Sequence, residues 1–394
     1  MGLNMGMNNE TLKRRNRGLV LRLIATGGCT TRIEVARRTG LSKMAVSNVI
    51  SEFIEAGLIE QQSELPVGGS GRNPICLSLS PDAPKIVGLY VFRDECVAVL
   101  CDLRLTALKT CRVAMDREKA QRLDETLFAA VDQVMPPRKE RVWGIGVGAI
   151  GPVDLRRGAI LTPPNFYGVH DFPIVQKLTE RYALPVYLDS QYNCAALAEK
   201  YFGAGRPYQD FLFVGISNGI GSGVIVGGEI SRNQSGLTSE LGHTSIDWHG
   251  NLCACGNQGC LETYAGTQVM EARLRKATGQ NLDFQGFCHR AEKGNCPEIH
   301  ALLTEMTDAL ACALTSEVNL LHPQAVLIGH EGCCLPDRYL RELERKINAA
   351  TLVKGGLRVL RPALGAQAQV KGSACSLLSR LFEGEWTGKI APEG

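Results

Sequence analysis

One short stretch of the sequence concentrates the residue types that bind transition metals. Cys253, Cys255 and Cys260 fall within eight residues, and His243 stands ten residues before the first of them. Zn²⁺ accepts thiolate and imidazole ligands in tetrahedral sites, and a set of four protein ligands leaves no open position for a substrate. The pattern therefore predicts a structural zinc ion held by a loop over about 243–260. The alternative interpretation is a chance cluster of buried thiols.

The remaining cysteines indicate a reducing compartment. The chain has fifteen cysteines, and most of them stand singly in apolar segments, as do Cys101, Cys194, Cys312 and Cys375. Because the N-terminal residues contain no apolar signal segment, these cysteines are interpreted as buried thiols and not as a disulfide framework. The sequence also has no run of about 18 apolar residues, the length that a membrane-spanning helix needs. We expect a cytoplasmic protein without membrane insertion.

Length and charge predict several domains, with any nucleic-acid surface confined to one of them. The chain has 394 residues, of which 44% are hydrophobic and 21% charged, a composition typical of soluble globular proteins. The whole chain carries a net charge of only +3, whereas residues 1–80 carry +4. A surface that attracts nucleic acid is therefore expected within the first 80 residues.

The first 80 residues have the element pattern of a helix-turn-helix. A first helical pattern is followed by a capping box at Thr31 and Glu34, and the short second helix ends at Gly40. Ser42 then begins a third helix, so two short helices are joined by a Gly-Leu-Ser turn. The alternative is a generic three-helix bundle. The second helix is expected to bury Ile33, Val35 and Ala36.

The third helix presents the residues that would read DNA. The N-terminal end of such a helix meets base edges in the major groove, where polar and methyl-bearing side chains are suitable. Two strands are expected next, with a glycine-rich tip at 68–72 whose arginine would enter a minor groove; a flexible linker is the alternative. The candidate DNA-binding residues are Lys43, Met44, Ala45, Ser47, Asn48 and Arg72.

From residue 85 onward, apolar runs that read as buried strands alternate with helical segments. This alternation predicts an α/β domain with a mainly parallel sheet. Helices are expected over 123–135, 172–183, 193–202 and 298–320.

Two segments resemble a known family, the ROK family of repressors, open reading frames and sugar kinases. SELGHTSIDWHGNLCACGNQGCLETYAG at 239–266 resembles its zinc and sugar signature. LSKMAVSNVISEFIEAGLIE resembles the DNA-binding segment of its repressor branch, which includes the N-acetylglucosamine and xylose repressors. The resemblance implies a winged helix-turn-helix at 1–80 and a sugar-kinase-type domain at 85–394. The latter would have two actin-like (ribonuclease-H-like) lobes with a cleft between them, and the protein would form dimers or tetramers.

The resemblance also assigns roles to individual residues. It places His243 and the three clustered cysteines on the family's zinc ligands. Carboxylates and amides can bind adjacent sugar hydroxyls in pairs, and a zinc-bound imidazole can present its second nitrogen to a hydroxyl. Without the resemblance, Glu240 and Glu262 are equally well interpreted as surface carboxylates. The implied sugar-binding residues are Asn165, Ser190, Gln191, Glu240, His243 and Glu262.

The chain departs from the family's kinases at the catalytic base. Gln191 stands where the kinases carry the aspartate of an Asn-Asp-x-Asn motif, and Ser190 precedes it. A glutamine cannot accept the proton of a sugar hydroxyl at neutral pH. Asp189 would share a strand face with Gln191 and is the one nearby substitute. Loss of the negative charge next to the reactive hydroxyl would also favour a phosphorylated ligand.

The segments that would hold ATP phosphates also depart from the kinase pattern. The first phosphate loop, Asp-x-Gly-Gly-Thr in the kinases, reads YVFRD at 90–94 and has no glycine. The second loop, 219–223, keeps its glycines, but Asn218 stands where the kinases have threonine. Later in the chain, a Gly-Gly pair becomes Gly329-His330. These changes predict a binding pocket without kinase activity.

The hypothesis is therefore a DNA-binding transcriptional regulator of carbohydrate metabolism, acting as a repressor on a double-stranded operator and controlled by a sugar or sugar phosphate. One alternative is an active ATP-dependent sugar kinase with a fused DNA-binding domain. Another is a DNA-binding protein whose sugar pocket is vestigial. Because some repressors of the family respond to a protein, a sugar-transport protein is a further candidate partner.

Overall fold

The computed structural model describes residues 9–63, 75–138, 141–164, 166–233, 235–294 and 296–385. Arg72 and Asn165, two of the predicted site residues, lie outside the described residues. The chain divides into two compact units. The first unit comprises Met1–Val147, Ile174–Leu188 and Ser373–Gly394, and the second comprises Gly148–Pro173 and Asp189–Gly372.

The N-terminal part of the first unit is the predicted winged helix-turn-helix. Its elements are α1 (Asn9–Ala25), α2 (Arg32–Thr39), α3 (Lys43–Glu55), β1 (Ile59–Ser63) and β2 (Ile75–Leu79). Thr31 and Glu34 form the predicted capping box, Gly40 ends α2 with a left-handed φ of 69°, and Ser42 caps α3. β1 and β2 pair antiparallel, with Ile59 opposite Leu79. The predicted helix ends and the wing strands are confirmed.

One residue of α2 that was predicted to be buried is exposed. Val35 is fully buried, but Ile33, which was expected beside it, is 72% exposed. Two residues along a helix rotate the side chain by about 200°, so in a helix of eight residues only one of the two can face the core. The prediction for Ile33 is therefore wrong.

The rest of the chain alternates strands and helices. In chain order the elements are β3 (Lys85–Val91), β4 (Glu95–Cys101), β5 (Ala107–Ala114), α4 (Arg117–Gln121), α5 (Leu123–Val134), β6 (Val142–Ala149), β7 (Val153–Asp154), β8 (Ala159–Ile160), α6 (Ile174–Tyr182), β9 (Val186–Ser190), α7 (Gln191–Phe202), β10 (Phe211–Ile216), β11 (Ile220–Val226), β12 (Glu229–Ile230), α8 (Glu262–Ala265), α9 (Thr267–Thr278), α10 (Phe284–Lys293), α11 (Pro297–Leu321), β13 (Ala325–His330), α12 (Asp337–Ala350), β14 (Arg358–Leu360) and α13 (Ala368–Glu383). The four predicted helices correspond to α5, α6, α7 and α11.

Each unit is built on a five-stranded sheet. The strand orders are β5-β4-β3-β6-β9 in the first unit and β12-β11-β10-β13-β14 in the second. β10, β13 and β14 are parallel, but β3, β4 and β5 are antiparallel, as are β10, β11 and β12. The expectation of a mainly parallel sheet is therefore wrong. Only three residues separate β3 from β4 and β10 from β11, and so short a connection forces antiparallel pairing.

In the second unit, helices cover both faces of the sheet. Leu212, Val214 and Ile216 of β10 face a core shared with α9 to α12. The opposite face packs on α7, because glycines of β10 and β11 lie directly against the Tyr192 ring. This arrangement fixes the start of α7 beside the ends of β10 and β11. Among the described residues, no helix is long and apolar enough to cross a membrane.

Candidate functional site

The four predicted metal ligands come together in the second unit. The ligand atoms of His243, Cys253, Cys255 and Cys260 all lie within 4.8 Å of one another. The Cys255 and Cys260 sulfur atoms are 3.7 Å apart, and Cys253 Sγ lies 3.6 Å from His243 Nδ1. A tetrahedral ion with Zn–S bonds of about 2.3 Å would separate two sulfur ligands by about 3.8 Å. The donor set and its spacing therefore fit Zn²⁺.

The segment at 243–260, which carries the four candidate ligands, is called the metal loop here. Backbone hydrogen bonds maintain its conformation. Cys253 N donates to Asn257 O at 2.8 Å, and Ile246 N donates to Gly259 O at 2.8 Å. Gly259 has a φ of +70°, and an added Cβ would overlap the Asp247 carbonyl, so a glycine is required there. The loop thus places its thiols through the backbone.

The thiols differ in how readily they ionise. Burial, with the neighbouring thiols, raises the pKa of Cys260 to about 12. A hydrogen bond from the Asn257 backbone lowers the pKa of Cys255. A divalent cation at the centre of the cluster would stabilise all the thiolates together.

Two carboxylates flank the metal loop. Glu240 stands three residues before His243, at the start of a 3-10 turn over Leu241–His243, and Glu262 stands two residues after Cys260, at the start of α8. Part of Glu240 contacts solvent, yet the protein packed around its carboxyl raises its pKa to about 7, and the charge of Glu262 adds to this rise. The two carboxylates therefore lie close enough to interact. Glu262 Oε2 also accepts a hydrogen bond from Ile220 N at 3.2 Å.

Ser190 and Gln191 lie at the junction of β9 and α7. Both side chains are buried, and Ser190 Oγ caps α7 by accepting from Asn193 N at 3.2 Å. Strand β11 lies next to the carboxylate pair and also next to the Ser190–Gln191 pair. Its Ile220 binds Glu262, and its Gly221 packs on Tyr192, the residue after Gln191.

Asp189 has both carboxylate oxygens committed to protein donors. Its Oδ1 accepts from Asn193 Nδ2 at 2.6 Å and from Ser190 N at 2.9 Å. Its Oδ2 accepts from Nε and Nη2 of Arg232, each at 3.1 Å. The side chain of Asp189 is 1% exposed and that of Arg232 is 18% exposed. A carboxylate whose two oxygens already accept hydrogen bonds from protein donors is poorly placed to accept a proton from a sugar hydroxyl.

Sequence reasoning missed Arg232. It follows the short strand β12 in a loop that carries no motif, and its partner lies 43 residues earlier in the chain. No local pattern signals such a pair; only the topology of the second unit brings the two residues together.

The glycines of the second phosphate loop have a packing role. Any Cβ at Gly221 would collide with the Tyr192 ring, and one at Gly223 would overlap the Tyr192 carbonyl oxygen. Outside the loop, a Cβ at Gly215 of β10 would meet the Tyr192 and His330 rings. The Tyr192 and His330 ring centroids are 5.3 Å apart, and His330 adopts a φ of +55°. These glycines are therefore required by the packing of α7 on the sheet, whether or not a nucleotide binds.

The predicted DNA-binding residues other than Arg72 lie in the N-terminal half of α3. Lys43, Met44 and Asn48 are exposed, whereas Ala45 and Ser47 are half-buried. Arg32 Nη1 donates to the Ser47 carbonyl at 3.4 Å and so ties α2 to α3. The stripe of α3 that contains Val46, Ile50 and Phe53 is buried.

An ion pair fixes α3 to α1. Arg17 donates through Nε to Glu52 Oε2 at 2.9 Å and through Nη2 to the other oxygen, a two-pronged contact. Together with the contact of Arg32, this ion pair holds α3 against α1 and α2.

Comparison with protein families gives two matches. The model of the ROK family matches residues 86–377, and a model described as winged helix-turn-helix DNA-binding matches residues 13–60. Together they span both parts of the chain.

Similar proteins match over nearly the whole length. The xylose repressor of Bacillus subtilis is 28% identical over 377 residues, which cover 94% of this chain and 97% of the repressor. The xylose repressor of Caldicellulosiruptor bescii is 25% identical and covers 95% and 98% of the two chains. The transcriptional dual regulator NagC of Escherichia coli is 28% identical and covers 95% and 97%.

Solved structures share the fold. A ROK family transcriptional regulator, a homologue of the E. coli Mlc protein, superposes with a TM-score of 0.77 at 24% identity, covering 95% of this chain and 98% of that one. A ROK hexokinase from Thermus thermophilus superposes with a TM-score of 0.63 at 31% identity. It covers 74% of this chain and 97% of its own.

Proposed function

Since this chain belongs to the ROK family, we propose that it is a sequence-specific transcriptional regulator, a repressor of carbohydrate metabolism genes whose operator binding is controlled by a sugar or sugar phosphate. The observation that carries the proposal is one chain that holds both a helix-turn-helix with an exposed α3 and a pair of carboxylates beside a Cys3His loop. The similar proteins that span both parts are named repressors or regulators, whereas the similar hexokinase spans only 74% of the chain.

DNA binding is assigned to residues 1–80. In a dimer, two copies of α3 would enter successive major grooves of a pseudo-palindromic operator, with half-sites one helical turn apart. Lys43, Met44 and Asn48 are exposed where base edges would lie, and Ala45 and Ser47 flank them. Arg72 is proposed to enter the adjacent minor groove. A homodimer or homotetramer would supply the symmetry.

Sugar binding is assigned to the domain at 85–394. Glu240 and Glu262 would each accept hydrogen bonds from adjacent sugar hydroxyls, because a carboxylate offers two acceptor oxygens. Asn165, Ser190 and Gln191 would complete the set. His243, Cys253, Cys255 and Cys260 would hold a structural Zn²⁺, and the bound metal would fix the orientation of the imidazole so that its second nitrogen could bind a sugar hydroxyl.

The second candidate function is an ATP-dependent sugar kinase, which the similarity to a hexokinase favours. Against it, Gln191 occupies the expected position of the base, and Asp189 is held by Arg232. Loss of a general base typically lowers the rate by about 10²–10⁴-fold. We therefore propose that the site binds a sugar without phosphorylating it.

The test is a gel shift with the DNA upstream of the protein's own coding sequence, at a stated salt concentration. D-xylose, D-glucose, N-acetyl-D-glucosamine and the 6-phosphates of the two hexoses are added in turn. A specific complex that one of these compounds dissolves is the expected result. A complex that none of them alters favours a vestigial pocket, or control by a partner protein such as a sugar-transport protein. Transfer of phosphate from ATP to any of the free sugars would favour the kinase.

A further inference from the structure

We propose that α13 transmits the state of the sugar site to the DNA-binding helices. The helix has 16 residues, of which Ala368–Gly372 belong to the second unit and Ser373–Glu383 to the first. At about 1.5 Å per residue it is about 24 Å long. The proposal rests on the proposed sugar-responsive function and names the element that connects its two halves.

Near the start of α13, in its second turn, Gly372 lies against α7, the helix that begins at the predicted sugar residue Gln191. A Cβ on Gly372 would lie 2.6 Å from Cys194 O, 2.7 Å from Cys194 C and 3.0 Å from Ala195 N. Cys194 is three residues after Gln191 on α7. The contact joins two backbones, so no flexible side chain stands between them to absorb a displacement of α7.

In its middle, α13 packs on the sheet of the first unit, again at positions where a glycine allows a close approach. A Cβ on Gly88 of β3 would lie 2.5 Å from Ser373 Oγ and 2.9 Å from Ala374 N. One on Gly146 of β6 would lie 2.6 Å from Ser376 Oγ. Ser376 Oγ also donates to Tyr187 O at 3.1 Å. The part of α13 that belongs to the first unit is therefore packed closely on its sheet, and interiors packed this densely transmit strain.

At its last turn, α13 meets the first helix of the DNA-binding part. A Cβ on Gly18 of α1 would lie 2.8 Å from Leu381 O and would overlap Phe382 O. Just beyond α13, a Cβ on Gly384 would lie 2.7 Å from the Arg14 carbonyl. Gly18 stands one residue after Arg17, whose guanidinium forms the ion pair with Glu52 of α3. Displacement at the end of α13 therefore reaches α3 through α1.

The sign of the effect follows from the proposed repressor function, and the coupling itself is reciprocal. A sugar that draws in Ser190 and Gln191 shifts the first turn of α7, and α13 carries the shift to Gly18. The two copies of α3 in a dimer then lose the spacing that an operator requires. Coupling between two ligand sites typically changes affinity by about 5- to 150-fold, which is sufficient for a repressor.

The test is hydrogen–deuterium exchange of the full-length protein, read by mass spectrometry in Gly372→Ala and Gly18→Ala. The matched control is Gly294→Ala, because a Cβ there would lie 3.7 Å from the nearest atom, Arg290 O. Gly372→Ala is expected to raise amide exchange in α1 at least about fivefold, the lower end of typical coupling. Gly18→Ala is expected to raise exchange in the first turn of α7, and the control to change neither.

Exchange that rises only in the elements touching the substituted glycine would overturn the proposal. If one variant fails to fold, as judged by its near-ultraviolet circular dichroism, the other is still read at the opposite end of α13. The wild-type protein is also measured with D-xylose, D-glucose and N-acetyl-D-glucosamine. A sugar that protects the first turn of α7 but leaves α1 unchanged also contradicts transmission. If no sugar protects α7, the proposed sugar site fails, while the glycine variants still decide the role of α13.

Discussion

Among single residues, the carboxylates beside the metal loop carry most of the proposed ligand recognition. Glu240 and Glu262 repel each other strongly enough to contribute to the raised pKa of Glu240. In the proposed site, sugar hydroxyls that donate hydrogen bonds to both carboxylates would relieve this repulsion.

Replacing Glu262 by glutamine is expected to lower the affinity for the active sugar by about 10- to 150-fold, since a hydrogen bond to a charged group contributes about 1.5–3 kcal/mol. Glutamine keeps an acceptor oxygen for Ile220 N, so the fold should persist. Isothermal titration calorimetry measures the change. Glu229→Gln, at an exposed position on β12, is the control. Equal affinities of the two variants would remove Glu262 from the site.

The buried ion pair between Asp189 and Arg232 gives a second prediction. Arg232→Met is expected to destabilise the protein by about 3–5 kcal/mol, because it leaves an uncompensated carboxylate that is 1% exposed. The double variant Asp189→Asn with Arg232→Met should be less destabilised than Arg232→Met alone. Urea unfolding of the two single variants and the double variant measures the coupling. Additive losses would mean that the two side chains do not interact.

Some residues of the site could be predicted from sequence and others could not. The metal cluster was predictable because its ligands lie close together in the chain and have few other roles. Arg232 was not, since its partner is 43 residues away and the loop that holds it has no pattern. Asp189 was noticed as a possible base, but the four hydrogen bonds that occupy it depend on tertiary contacts.

At the scale of elements, the metal loop should depend on its ion. Cys255→Ser is expected to reduce bound zinc from about one ion per chain to a small fraction, and to lower the melting temperature, because structural zinc sites contribute folding free energy directly. Plasma mass spectrometry and thermal unfolding measure the two effects. Cys312→Ser, an exposed cysteine on α11, is the control. Unchanged zinc content in Cys255→Ser would contradict the assignment of the ligands.

The recognition helix gives a prediction that separates affinity from specificity. Asn48→Ala is expected to weaken operator binding by about 1–3 kcal/mol while leaving binding to unrelated DNA nearly unchanged, because Asn48 is proposed to read a base. Lys43→Ala should instead weaken binding to both DNAs and reduce the salt dependence, because it removes a positive charge that attracts any DNA. Fluorescence anisotropy at several salt concentrations distinguishes the two. Identical effects of both variants on both DNAs would contradict this division of roles.

Local signals predicted helix ends more reliably than sheet topology. Thr31, Gly40 and Ser42 act within their own turns, so the capping rules placed α2 and α3 correctly. The direction of strand pairing depends on connections such as the three residues between β10 and β11, which apolar runs alone do not reveal. The side of α2 that faces the core depends on where α1 and α3 lie, and for that reason Ile33 was misplaced.

The whole molecule combines a helix-turn-helix, a proposed sugar-binding site and a helix, α13, whose residues belong to both compact units. None of these features alone requires regulation: a helix-turn-helix can bind DNA constitutively, and a sugar site can serve a kinase. The proposed regulation rests on the backbone contacts of α13, with α7 near its first end and with α1 at its last turn.

The most direct measurement is the dissociation constant of the protein for a labelled operator fragment, with and without the sugar that binds it, in wild type and in Glu262→Gln. We expect the sugar to weaken operator binding by the wild type at least about fivefold. Glu262→Gln should bind the operator as tightly as wild type but require far more sugar for release. Operator affinity that saturating sugar leaves unchanged in the wild type would contradict the central claim that this pocket controls DNA binding.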